Sequence, residues 1–151
     1  MDSNLRELYQ EIILDHSRHP RHFGSLAEAN RTAEGFNPLC GDKVKIDLIV
    51  DDDDRITDIA FDGKGCAISV ASASLMTEML KGRTVEEAEE VMGGFLELVK
   101  GGSAEGLNAD DREHLEVMAG VSEFPMRVKC ATLAWHAMKS ALEGGGVAKT
   151  E

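Results

Sequence analysis

The feature that most constrains the fold is a switch in hydrophobic period part-way along the chain. Val44, Ile46, Leu48 and Val50 alternate with Lys43, Lys45 and Asp47, and Ile59 and Phe61 repeat the alternation further on. Period two puts one set of side chains on each face of a strand, the pattern of a half-buried antiparallel sheet. From Gly65 the spacing turns helical, with Ala67, Ile68, Val70, Ala71, Leu75, Met76 and Met79 running to Gly82, a residue suited to end a helix. A sheet with one apolar face needs a cover, and the helices that follow supply it. The expected fold class is α+β: a small antiparallel three-stranded sheet with helices packed on one side.

The flanking segments fit that outline. Leu5, Leu8, Tyr9, Ile12 and Ile13 form one helical stripe, with Asp2 or Ser3 as N-cap. Asp15 to His22 has no period and carries Pro20, so it reads as an exposed, locally positive loop around Arg18 to His22. Asp51 to Asp54 reads as a solvated turn, since it lacks the glycine and spaced ligands of a calcium loop. Thr84-Val85-Glu86-Glu87 is a capping box that opens a helix to about Lys100, closed by Gly101-Gly102. A loop to Asn108, a helix over 110–119, and a last helix over 126–143 started by Pro125 complete one domain over residues 1–144. Residues 145–151 read as a disordered tail. The seven methionines read as core filling, and His16 and His136 as packed histidines.

With 151 residues, one compact core is expected, and the formal charge of −12 repels phosphate polymers and anionic lipid surfaces. Nucleic acid and membrane are therefore not expected partners. There is no long apolar run, and the first residues read as an acidic amphipathic helix, so a cytoplasmic protein is expected. Three cysteines are an odd number in a chain that needs no staples, which favours metal ligation or thiol chemistry over a disulfide framework.

Cys40, Cys66 and Cys130 are far apart, without the short spacing of a zinc ribbon or a redox motif. Their settings say more. In Cys40-Gly41-Asp42, residues i and i+2 near a strand start share a face and present a thiolate with a carboxylate. Gly63-Lys64-Gly65-Cys66 puts a thiol at a helix start, where the dipole lowers its pKa. Arg127-Val128-Lys129-Cys130 reads as the first turn of the last helix, with Arg127 and Lys129 supplying positive charge. Three thiolates and Asp42 would make a tetrahedral set for zinc, the carboxylate being the more exchangeable ligand. On spacing and setting alone, three inert, buried cysteines remain an equal alternative.

Asn37-Pro38-Leu39-Cys40-Gly41-Asp42, Gly65-Cys66-Ala67-Ile68-Ser69 and Pro125-Met126-Arg127-Val128-Lys129-Cys130, in that order, closely resemble the motifs of the iron–sulfur assembly scaffold family called IscU/NifU-like. The resemblance covers about Leu5 to Leu142 and includes Asp15-His16 with Pro20 and Gly24. It implies that Cys40, Asp42, Cys66 and Cys130 bind zinc or hold a nascent cluster. Lys129 stands where scaffold-type members carry a histidine, and an extra segment spans about Gly101 to Arg112. Both features resemble the SufU branch. That branch implies a zinc-dependent sulfurtransferase, with Cys40 as the catalytic nucleophile taking persulfide sulfur from a cysteine desulfurase of the SufS type. Downstream cluster-assembly proteins would be further partners. The rival reading is a non-enzymatic scaffold that assembles a [2Fe–2S] cluster on the same ligands, with iron transiently bound.

Overall fold

The structure, a computed structural model, describes residues 3–39, 41–144 and 146–149. The chain runs α1 (Ser3–Arg18), β1 (Arg31–Asn37), β2 (Asp42–Val50), β3 (Ile56–Lys64), α2 (Ala67–Leu80), α3 (Val85–Val99), α4 (Ala109–Leu115), a 3-10 helix (Glu116–Glu123), α5 (Pro125–Leu142) and β4 (Gly146–Lys149).

The alternating segments form the expected antiparallel sheet. β1 and β2 pair from Asn37 opposite Asp42 to Arg31 opposite Leu48, and β2 pairs with β3 from Lys43 opposite Lys64 onward. The sheet order is β3-β2-β1-β4, and β4 lies parallel to β1. The expectation of a disordered tail is therefore corrected over residues 146–149. They satisfy the outer edge of β1, whose backbone donors and acceptors would otherwise face solvent. Gly145, Thr150 and Glu151 lie outside the described residues.

Ile46, Leu48, Ile56 and Ile59 fill the inner face of the sheet, under Leu133 and Trp135 of α5. α5 lies close to β1 because Gly35 has no side chain. A Cβ there would sit 2.9 Å from Val44, 3.1 Å from Leu133 and 3.2 Å from Ala137. α2 is buried on nearly every side between α1, α5 and β3, which explains its run of small residues, Ala71-Ser72-Ala73-Ser74. The Thr84 capping box forms as expected, with Thr84 Oγ1 accepting from the Glu87 N–H and Glu87 accepting from the Thr84 N–H. Met76, Met92, Met118 and Met138 fill the core, whereas Met126 is exposed.

The segment expected as an exposed loop from Asp15 differs in two ways. α1 continues through Arg18, and the residues after it dock on α2. His16 is buried, with Nδ1 2.7 Å from Ser74 Oγ and Nε2 3.5 Å from Glu78. Ser74 Oγ also accepts the Arg21 N–H at 2.8 Å, so one hydroxyl of α2 meets both the His16 ring and the chain that follows α1. Arg21 is itself paired with Asp15 at 2.6 Å, so the local positive charge is largely spent within the molecule. Asp15 and His16 thus act as a clamp between α1 and α2. No described helix is long and apolar enough to cross a membrane.

Candidate metal centre

The β1–β2 connection and the starts of α2 and α5 meet at one end of the sheet. Asn37 is the anchor of the connection: its carbonyl accepts the Gly41 N–H at 2.8 Å and its Oδ1 accepts the Leu39 N–H at 3.1 Å. Gly41 adopts φ +74°, a left-handed conformation that suits glycine. The next residue, Asp42, opens β2 with its side chain turned inward and only 1% exposed.

A buried carboxylate needs partners, and α2 provides them. Asp42 Oδ1 accepts the Cys66 N–H at 3.1 Å, and the Cys66 sulfur lies 4.0 Å from Oδ2. Cys66 is the N-cap of α2, its sulfur accepting the Ser69 N–H at 3.4 Å, as expected of a residue at a helix start. Gly65 makes room for the carboxylate: a Cβ there would stand 2.6 Å from Asp42 Oδ1. Cys66 is exposed, so the cluster opens to solvent at its sulfur.

Cys130 approaches from α5 and is buried. α5 begins at Pro125, so Cys130 is in its second turn, and the expectation that it sits in the first turn is corrected. The helix dipole no longer favours its thiolate there. Its thiol is instead pushed strongly up, first by burial, then by hydrogen bonding to Asp42 and Cys66 and by their negative charge. Three groups that ionise to anions share one corner.

One ligand atom each from Asp42, Cys66 and Cys130 lie within 4.8 Å of one another. A tetrahedral zinc ion needs donors about 3.5–3.8 Å apart, given bonds of about 2.3 Å to sulfur and about 2.0 Å to oxygen. A separation of no more than 4.8 Å is near that spacing, and two sulfurs with one oxygen suit a borderline-soft divalent ion. Cys40 lies outside the described residues, while its neighbours Leu39 and Gly41 are both fastened to Asn37. Arg127 lies with its guanidinium 4.5 Å from the centroid of the Phe124 ring, and neither Arg127 nor Lys129 forms an ion pair among the described residues.

Two residues shape the site without being ligands, Asn37 and Gly65. Asn37 has no local sequence signal beyond its place in the first motif; its buried Nδ2 has no hydrogen-bond partner among the described residues. Gly65 precedes a helix start in the sequence, and its decisive property is the space it leaves for Asp42.

The family model described as the NifU-like N terminal domain matches residues 8–144. The chain belongs to this family. It is 41% identical over 141 residues to the iron-sulfur cluster assembly scaffold protein IscU of Streptococcus pyogenes serotype M1, covering 93% of this chain and 86% of that one. It is 38% identical over 150 residues to the zinc-dependent sulfurtransferase SufU of Bacillus subtilis, covering 99% and 96%. Among solved structures, FiSufU of Fervidobacterium islandicum AW-1, a candidate scaffold for the SUF system, superposes with a TM-score of 0.81 at 34% identity, covering 93% and 99%. The SufU/IscU-like resemblance and the α+β fold are thus established, and the chain is a member of an iron–sulfur cluster assembly family.

Proposed function

We propose that this chain is a zinc-dependent sulfurtransferase of iron–sulfur cluster assembly in the cytoplasm, taking persulfide sulfur from a cysteine desulfurase onto Cys40 and passing it to downstream assembly proteins. The observation that carries the reading is the mixed donor set, Asp42 with Cys66 and Cys130, seated at a solvent-facing rim. The buried side-chain N–H of Asn37, without a partner among the described residues and opposite Asp42 in the strand register, also suits a corner that holds anionic sulfur.

In this reading Cys40, Asp42, Cys66 and Cys130 hold the zinc. When bound, zinc keeps its cysteine ligands deprotonated at neutral pH. The Cys66 N–H and Gly65 fix the Asp42 carboxylate, and Cys130 anchors the set from the core. The Cys40 thiolate attacks the outer sulfur of the donor persulfide. A sulfur–sulfur bond forms at Cys40, the bond in the donor breaks, and the donor cysteine leaves as thiolate, with no net oxidation or reduction. Arg127 and Lys129, three and one residues before Cys130, offer positive charge to the anionic corner.

The test is to mix the protein with a cysteine desulfurase and free cysteine, then locate the added sulfur by mass spectrometry. Sulfur on Cys40 is the expected result. Sulfur on Cys66 or Cys130 overturns the assignment of roles. A stable visible chromophore formed anaerobically with iron and sulfide, with no sulfane sulfur ever on Cys40, favours the cluster scaffold instead.

A further inference from the structure

The outer face of the sheet carries a row of residues whose charges are not balanced. The register puts Phe36 of β1 opposite Lys43 of β2, and Lys43 opposite Lys64 of β3. Directly opposed residues share a face, and like charges in that relation destabilise a sheet. The Lys43 ammonium lies 5.6 Å from the Phe36 ring centroid, and the register position opposite Phe36 on β4 is Lys149.

One step along the strands the balance is restored. Lys45 is opposed by Glu34 on one side and Asp62 on the other, and its ammonium lies 3.9 Å from Asp47. Lys43 and Lys64 have no carboxylate opposite them, and neither forms an ion pair among the described residues. Together with Phe36, and with Lys45 between Glu34 and Asp62, they line a groove of about 700 Å³. On a chain of formal charge −12, an uncompensated lysine pair is a local reversal of sign.

Its place matters as much as its charge. Lys43 follows Asp42, and Lys64 precedes Gly65 and Cys66, so the row lies at the end of the sheet that carries the metal centre. We propose that Phe36, Lys43 and Lys64 dock an acidic surface of the protein that delivers sulfur to this centre. The inference rests on the sulfur-acceptor reading and names the surface its donor uses. Two lysines beside one ring match a pair of carboxylates with an apolar neighbour on a protein surface. A phosphate polymer would run on to Glu34 and Asp62, which flank the row.

The test measures association of the full, zinc-loaded chain with the cysteine desulfurase of the same organism over a series of salt concentrations. Lys43→Glu with Lys64→Glu is compared with Lys100→Glu and Lys139→Glu, lysines outside the row that change the formal charge equally. The row variant is expected to associate about tenfold more slowly at low salt, with a shallower salt dependence, while the control pair changes the rate less than about twofold. Zinc content should match the unsubstituted protein in both, and both should unfold cooperatively. Equal behaviour of the two pairs overturns the inference, as does binding of a single-stranded oligonucleotide through Lys43 and Lys64 in place of the desulfurase. If the unsubstituted chain neither binds desulfurase nor gains sulfur, the sulfur-acceptor reading falls as well. If it gains sulfur and the two pairs behave alike, only the docking surface is lost.

Discussion

The Ser72 hydroxyl of α2 donates to the Ala131 carbonyl of α5 at 2.5 Å and accepts the Trp135 indole N–H at 2.9 Å. Cys66 caps the helix that carries Ser72, and Cys130 adjoins Ala131, so this one hydroxyl ties together the two helices that bring the sulfurs into range. The tie is fully buried, and Trp135 is further held by stacking on Phe95 at 4.1 Å.

Ser72→Ala should therefore destabilise the protein by about 1–3 kcal/mol, because it leaves the buried Trp135 N–H without a partner. Urea unfolding measures the loss, and a zinc titration should show weaker binding as the two helices gain freedom. Unchanged stability would show that a relaxed packing replaces the bond.

Gly65→Ala separates the site from the fold. The added methyl would overlap the Asp42 carboxylate, while the helix start that follows can keep its geometry. Zinc affinity, measured by competition with a chromogenic chelator, should fall about tenfold or more, the size expected when a support of a metal ligand is lost. Cooperative unfolding should persist. Full affinity in this variant would remove Asp42 from the ligand set.

Zinc should act as a stabilising ligand. At a free concentration about 100 times its dissociation constant, it should add about 2.7 kcal/mol to the unfolding free energy, and a chelator should remove that gain. Asp42→Ala should stay folded and lose much of the increment, since the core is built around Ile46, Leu48 and Trp135. A variant that unfolds outright would mark the metal as purely structural.

Acid sensitivity should begin just below neutrality. Burial holds His16 and His136 below the ordinary histidine value, aided at His16 by Arg21 and at His136 by Lys100 and Lys139, with Glu78 and Asp15 opposing at His16. As pH falls through about 6.5, the unfolded chain takes up these protons before the folded one does. Their contribution is thus complete above that pH and declines below it, until the folded state is protonated too. Urea midpoints measured across this window should show a flatter decline for His136→Gln than for the parent protein. An identical decline would exclude His136 as a source.

Much of the fold was legible because its signals are local. Thr84 with Glu87 specifies a helix start through side chains three residues apart, and Val44 to Val50 specifies a strand through alternation alone. The docking of residues 15–22 was not legible, because it depends on Ser74 and Thr77, far along the chain on a helix that packs beside α1. The fourth strand has no signal of its own, because its pairing depends on the edge that β1 offers, not on a pattern within residues 146–149.

The sequence by itself determined the strand that opens near Asp42, the helix starts near Cys66 and Cys130, and the kinds of donor atom available, since these follow from side-chain identity and near neighbours. Only the tertiary structure decided that Asp42, Cys66 and Cys130 converge, and that burial pushes the Cys130 thiol up where a helix-start position suggests a lowered one. Convergence depends on Gly35 letting α5 close on β1 and on Ser72 fastening α2 to α5, contacts between residues remote in the chain. Burial and mutual charge are properties of that shared space, and no single segment encodes them.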